Sequence, residues 1–191
     1  MNQSKKKKLE ELYEIYFSCG IENPLYIESA KQFVPGSGNP DAGILFIGEA
    51  PGEVEENVGL PFQGRSGKLL RNTLKKYEIT ENNSFITNVV KFRPPNNRKP
   101  TNQEIKNHFD LVLFHEIKII APKIIVPVGG VAAETILGKQ IKITGIRGKN
   151  LIHDNTIVIP IFHPAYILRN MTAFSIFEAD IKLIKNKLDE I

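Results

Sequence analysis

Three short segments of the sequence combine side chains that could break a bond with side chains that could hold a ligand. The first, residues 48–56, places four glutamates around a turn that contains two glycines and a proline. Such a backbone can approach a ligand closely, and carboxylates there suit general-base chemistry or stabilisation of a developing cation. Because the segment lacks a Gly-Lys-Ser/Thr ending, a nucleoside triphosphatase is not expected.

The other two segments are basic. In residues 88–98, cations alternate with prolines that stiffen the loop and with asparagines that can donate to phosphate oxygens. Residues 163–170 begin with His163 and place Leu168 beside Arg169, and an apolar side chain next to a cation can wedge into a base stack. We therefore expect a site that is acidic inside and basic at its rim. A net charge of +4 is consistent with a polyanionic partner.

Each segment also has a plain structural explanation. The glycine-rich turn could simply join a strand to a helix, His163 could cap a turn, and Phe62 could be a core residue. The segments gain weight from the elements that precede them. Apolar runs rich in β-branched residues predict buried strands at 44–47, 84–87, 123–128 and 156–161, and the three segments follow the first, second and last of these.

Segments with helical spacing separate the predicted strands. They cover residues 68–77 and 102–120, the latter opening with Thr101 three residues before Glu104, and further helices are expected near 5–17 and 174–190. This alternation predicts the α/β class: a three-layer α/β/α sandwich around a short, mainly parallel four-stranded sheet. We expect one domain over residues 1–191, with its ligand at the carboxyl ends of the strands.

Cysteine content and hydropathy limit where such a protein could work. The chain has one cysteine, Cys19, which excludes an internal disulfide framework and indicates a reducing compartment. Its apolar runs are shorter than the roughly 18 residues of a membrane span. We expect a cytoplasmic monomer without a membrane partner, associated with the nucleoid through DNA.

Four motifs together resemble the uracil-DNA glycosylase superfamily, and within it the family 4 enzymes of bacteria and archaea. The motifs are Gly48-Glu49-Ala50-Pro51-Gly52, residues 59–67 (GLPFQGRSG), residues 88–98 (NVVKFRPPNNR) and His163-Pro164-Ala165-Tyr166. The resemblance covers about residues 35–190 and includes the sandwich fold. It implies a monofunctional enzyme that flips uracil out of single- and double-stranded DNA and hydrolyses its glycosidic bond in base excision repair.

The resemblance also implies residue roles. Phe62 would stack on the base, Asn88 would read its edge, and His163 would donate to uracil O2. Glu49 and Glu55 would lie near the sugar, orienting water or excluding the thymine methyl group, and the sequence does not divide these two tasks between them. Gly48 and Ala50 would complete the base pocket, with Ala50 standing where other branches place a water-orienting aspartate. The implied DNA contacts are Arg65, Lys91, Arg93, Asn97, Arg98, Leu168 and Arg169.

The sequence departs from family 4 at its metal site. Members of that family hold a four-iron four-sulfur cluster with four cysteines, whereas Phe92 and Phe109 stand at the third and fourth ligand positions here and Cys19 alone remains. A cluster needs its thiolates. We predict no metal or cofactor, with hydrophobic packing replacing the cluster.

Other functions stay open at this point. The chain could be a catalytically silent DNA-binding relative, or a glycosylase that prefers another deaminated or damaged base. A third possibility, an unrelated sugar-phosphate or nucleoside hydrolase, leaves the basic segment and the Leu168-Arg169 pair unexplained.

Overall fold

A computed structural model describes residues 4–18 and 32–190. Its strands are β1 (Ser37–Gly38), β2 (Ile44–Gly48), β3 (Phe85–Asn88), β4 (Ile124–Pro127), β5 (Leu151–His153) and β6 (Thr156–Val158). Its helices are α1 (Lys5–Ser18), α2 (Glu53–Val58), α3 (Arg65–Lys76), α4 (Asn102–His108), α5 (Phe114–Ile120), α6 (Gly130–Leu137), α7 (Ile143–Ile146), α8 (Pro164–Arg169) and α9 (Phe174–Asp189).

The strands form one mixed sheet in the order β1-β3-β2-β4-β6-β5. The four central strands are parallel and correspond to the four predicted from sequence. The structure adds a short antiparallel strand at each edge. One of them, β1, has two residues and pairs with β3. The other, β5, forms a hairpin whose turn residues Asp154 and Asn155 both have positive φ, as a type I′ turn requires.

Helices cover both faces of the sheet and confirm the predicted three-layer architecture. The residues of β2 alternate between two apolar cores because successive side chains of a strand point to opposite faces. Phe46 packs with residues of α3 and α9, while Leu45 packs with residues of α1, α5 and α6. Burial of these two cores holds the strand ends in place.

The predicted helix over residues 102–120 is interrupted. It consists of α4, a π-helical turn at Phe109–Leu113, and α5. Its start is as predicted, because the Thr101 hydroxyl accepts from the Glu104 amide at 3.2 Å and the Glu104 carboxylate accepts from the Thr101 amide at 2.7 Å. The buried side chains of the π turn are Val112 and Leu113.

The strand order brings three chemically distinctive segments to one edge of the sheet. Since β3, β2, β4 and β6 are parallel, their carboxyl ends lie side by side, and the residues after β2, β3 and β6 meet there. In the described part of the chain, every helix is too short or too polar to cross a bilayer.

Candidate active site

A cleft of about 540 Å³ lies at the carboxyl ends of the parallel strands. It receives residues from the turn after β2, from the end of β3, from the basic loop (residues 93–99) and from α8. The residues that line it are Glu49, Ala50, Pro51, Gly52, Glu55, Phe62, Ser66, Asn88, Pro94, Asn97, Arg98, His163, Ala165 and Arg169. The segments singled out in the sequence therefore converge on a single cavity.

Gly48 allows two of these side chains to come together at the cleft. A Cβ atom on residue 48 would lie 2.3 Å from Asn88 Oδ1 and 2.5 Å from Phe62 Cζ, both far inside van der Waals contact. The amide and the aromatic ring therefore both abut the bare backbone of Gly48. Any larger residue would push one of them out of the cleft.

Phe62 is held in a strained backbone conformation. Its φ of 57° is in the left-handed region, which a bulky residue adopts at a cost of about 1 kcal/mol or more. Arg71 on α3 stabilises this conformation by donating from Nε to the Phe62 carbonyl at 3.0 Å and from Nη2 to the Pro61 carbonyl at 2.9 Å. The ring is 5% exposed and its centroid lies 6.4 Å from that of His163.

Glu55 and Glu49 differ in how their carboxylates are used. Glu55 Oε1 accepts from the amides of Gln63 and Gly64 at 2.8 Å each, and Oε2 accepts from the Gly52 amide at 3.1 Å. These bonds fasten the turn after β2 to the segment that carries Phe62. Glu49 has no side-chain hydrogen bond to any described residue, and burial raises its pKa while the positive charge of Lys99 opposes that shift.

His163 is fixed in one neutral tautomer. It caps the N-terminus of α8, and its Nδ1 accepts from the Ala165 amide at 3.1 Å. An accepting Nδ1 carries no proton, so Nε2 holds the proton of the neutral ring. Burial, together with the positive charge of Arg169, lowers the pKa of His163 to about 4 against the opposing effect of Glu55. At neutral pH this residue is therefore an uncharged donor.

The basic loop is braced by carboxylates. Arg98 donates to both oxygens of Glu104, at 2.8 and 2.6 Å, and this pairing is the main reason that the Glu104 pKa is lowered. The Arg93 guanidinium lies 3.2 Å from Glu56 and its Nε donates to Asn97 Oδ1 at 2.8 Å. With 13% of its side chain exposed, Arg93 acts as an internal brace, and this position does not favour the predicted DNA contact.

The other residues predicted to contact DNA differ in their burial and in whether they line the cleft. The prediction for Lys91 is wrong: its side chain is fully buried and paired with Glu116, so it cannot reach a phosphate. Leu168 is half-buried and does not line the cleft. Arg65 is exposed at the start of α3, outside the cleft, whereas Arg169 is exposed and lines it. Arg98 and Asn97 also line the cleft.

Several contributors were missed by the sequence analysis. Ser66 lines the cleft, and its place in the motif at residues 59–67 could have indicated it. Lys99 influences Glu49 from the end of the basic loop. No sequence pattern indicated a role for Arg71, because its two carbonyl partners lie on a loop whose path is set by tertiary contacts.

Comparisons with known proteins identify the family that the chain resembles. A model of the uracil DNA glycosylase superfamily matches residues 35–187. The chain is 44% identical over 151 residues to a type-4 uracil-DNA glycosylase of Thermotoga maritima, which covers 77% of each protein. It is 44% identical over 161 residues to that of Sulfurisphaera tokodaii, covering 80% of this chain and 73% of the relative. The Archaeoglobus fulgidus protein is 39% identical over 165 residues, 82% of each.

Gly67→Ala tests the support of Phe62. A Cβ atom on residue 67 would lie 2.1 Å from the Phe62 carbonyl group, so the substitution must displace that peptide. We expect the free energy of unfolding to fall by about 1–3 kcal/mol, measured by chemical denaturation. Gly130→Ala is the matched control, since at this helix start no atom beyond the neighbouring residues and the helix's own backbone lies within 4 Å of the added methyl. An equal loss in both variants would contradict the assignment.

Proposed function

The chain belongs to the uracil DNA glycosylase superfamily, and on that premise we propose that it flips uracil out of DNA and hydrolyses the bond between the base and the deoxyribose. Similarity to three type-4 uracil-DNA glycosylases makes it an enzyme of that class. One observation carries the proposal: a single cleft is lined by an aromatic ring, an amide, a carboxylate and a neutral imidazole, which belong to Phe62, Asn88, Glu49 and His163.

Binding of a flipped base requires a stacking surface and a reader of its edge. Flipping costs a few kcal/mol, which contacts in the pocket must offset. Stacking on Phe62 would contribute about 1 to 3 kcal/mol of that. The carboxamide of Asn88 can accept from uracil N3–H and donate to O4, whereas cytosine presents the opposite pattern. Gly48 keeps both groups against the same stretch of backbone.

His163 supplies the donor for the leaving group. As the glycosidic bond breaks, negative charge develops on uracil O2, and a positioned donor stabilises that charge without having to reorganise. Because Nδ1 is occupied by the Ala165 amide, Nε2–H is the donor that the ring offers. The low pKa of His163, about 4, keeps the ring neutral throughout the physiological range.

The hydrogen bonds support a division of labour between the two glutamates. Glu55 is a structural clamp whose two oxygens both accept from backbone amides. Glu49 is free to face the sugar, where its carboxylate would orient the attacking water and stabilise positive charge on the deoxyribose. Ala50 supplies no second carboxylate beside it, so the water depends on Glu49.

DNA would be held at the rim of the cleft. Arg98, Arg169 and Asn97 line the cleft and Arg65 lies nearby on the exposed face of α3. These groups contact a backbone without reading its sequence, which suits repair of uracil in single- or double-stranded DNA. Since one sheet of one chain forms the whole cleft, we propose a single-domain monomer. With DNA as its substrate, the enzyme would act in base excision repair at the nucleoid, in the cytoplasm.

The residues at the family's cluster site do not fit a four-iron four-sulfur cluster. Phe92 is buried against Tyr16, Phe33 and His108, with ring centroids 5.7 to 6.3 Å away. The ring beside Phe92 is that of His108. Phe109, which was expected at the fourth ligand position, packs on Phe114. The described residues contain no group of three or more metal-ligating side chains, and Cys19 lies outside them. We propose that this aromatic packing replaces the cluster.

A panel of oligonucleotides with single lesions tests the activity. We expect abasic-site formation at uracil in single-stranded and duplex DNA, detected by alkaline cleavage. His163→Ala should lower the single-turnover rate about 10²- to 10³-fold with little change in DNA affinity. His115→Ala, at an exposed position on α5, is the matched control. Binding without cleavage at every lesion would identify a silent relative, and cleavage at another base alone would redefine the substrate.

The acid limb of the rate profile tests Glu49. Burial raises its pKa, so the rate should fall with decreasing pH at a higher pH than for an ordinary carboxyl group. Lys99 lowers that pKa, so Lys99→Met should shift the limb to higher pH in single-turnover profiles at saturating enzyme. Lys106→Met, an exposed lysine paired with Asp110, should leave it in place. A limb that Lys99→Met does not move would exclude Glu49 as its source.

Iron analysis tests the absence of the cluster. The purified protein should contain far less than one iron atom per chain, and Cys19→Ser should leave its melting temperature unchanged. Phe92→Ala should reduce the free energy of unfolding by about 3–5 kcal/mol, because it opens a cavity in the aromatic cluster. A stoichiometric cluster in the purified protein would refute the proposal.

A further inference from the structure

Lys91 occupies an unusual position for a lysine. Its side chain has no exposed surface, and its ammonium group contacts three acceptors: the Glu116 carboxylate, the Thr87 hydroxyl and, at 2.9 Å, the carbonyl oxygen of Asn88. An ammonium group has three protons to donate. All three have a partner, so the buried cation is fully satisfied.

The network around Lys91 joins three parts of the fold. Glu116 lies on α5, and its carboxylate also accepts from the hydroxyl of Tyr13 on α1. The backbone of Lys91 is held as well, because its amide donates to His108 Nδ1 at 3.0 Å and its carbonyl accepts from the Val34 amide at 2.9 Å. A side chain anchored at both ends has little freedom to move.

One of the three acceptors belongs to a residue of the cleft. Asn88 is the last residue of β3, and its side chain lines the cleft while its carbonyl faces the buried ammonium group. On the side that faces β2, the amide of Val89 donates to the carbonyl oxygen of Gly48 at 2.9 Å. The peptide that follows Asn88 is thus fixed from two directions, and with it the backbone from which the carboxamide projects.

We propose that Lys91, acting with Glu116, is a positioning residue for Asn88. The proposal rests on the proposed function, in which Asn88 reads the edge of the flipped base. The ion pair lies between β3 and α5, away from the cleft. It orients the Asn88 peptide through the hydrogen bond from the Lys91 ammonium group and does not touch the substrate. This accounts for a cation in a motif that otherwise suggests a grip on DNA.

The test replaces both charges at once, because removing one partner alone leaves an uncompensated buried charge that strongly destabilises a protein. Lys91→Met/Glu116→Gln keeps side-chain volumes similar and leaves a hydrogen-bonding group for Tyr13 and Thr87. Val112→Ala, a cavity variant in the same core, is the control for stability loss alone. Assays are run well below the melting temperatures of all variants.

A double-mutant cycle separates positioning from stability. We expect the Lys91→Met/Glu116→Gln variant to excise uracil at least tenfold more slowly in single turnovers, with DNA affinity within twofold of the wild type. In an Asn88→Ala background, the same pair of substitutions should lower the single-turnover rate little further. In a His163→Ala background, it should lower that rate by the full tenfold. Equal losses in both backgrounds, or an unchanged rate in a folded variant, would overturn the proposal.

A second measurement does not depend on catalysis. In ¹⁵N-labelled protein, the backbone and side-chain amide signals of Asn88 should shift in Lys91→Met/Glu116→Gln and stay near their wild-type positions in Val112→Ala. Unchanged Asn88 signals in the pair variant would refute the positioning role. If the wild-type protein does not excise uracil, the proposed function fails while these signals still decide whether Lys91 orients Asn88.

Discussion

A charge without access to water must be compensated by the groups around it, and this constraint shapes the surroundings of the cleft. Lys91 meets it with Glu116, Thr87 and the carbonyl of Asn88. Burying an ion pair is at best weakly stabilising compared with apolar residues of similar size. What the pair contributes is geometry, because each partner is satisfied in one arrangement of α1, β3 and α5.

The same constraint redistributes the charge of the basic loop. Arg98 is paired with Glu104 and Arg93 with Glu56, and both carboxylates are buried. These pairs stiffen the loop and bury most of Arg93, whereas Arg98 keeps 36% of its side chain exposed and can still contact a phosphate. A count of lysines and arginines in this segment therefore overestimates its attraction for DNA, and the exposed Arg169 gains importance.

Inside the cleft, functional side chains are held by hydrogen bonds from backbone amides, whereas outside it they are held by charged partners. Glu55 is held by three amides and His163 by one, so neither side chain needs to reorganise during a reaction. Glu49 is the exception, with a raised pKa and no described hydrogen-bond partner. On the face of the sheet that packs against α1, Phe92 is buried among Tyr16, Phe33 and His108.

The sequence by itself determined the family, the four parallel strands, the capped start of α4 and the convergence of three segments on one cleft. These features follow from short-range patterns, in which periodicity, turn residues and motif order need no knowledge of distant contacts. Tertiary structure alone decided that Lys91 is buried, that the Glu55 carboxylate accepts from three backbone amides while the Glu49 carboxylate accepts from none in the described part of the chain, that His163 Nδ1 accepts from the Ala165 amide, and that His108 packs on Phe92. Each depends on partners that folding brings together, as with Glu116, which is 25 residues from Lys91 and 103 from Tyr13 in the chain. Side-chain burial and hydrogen-bond partners are properties of that assembly, so no local pattern records them.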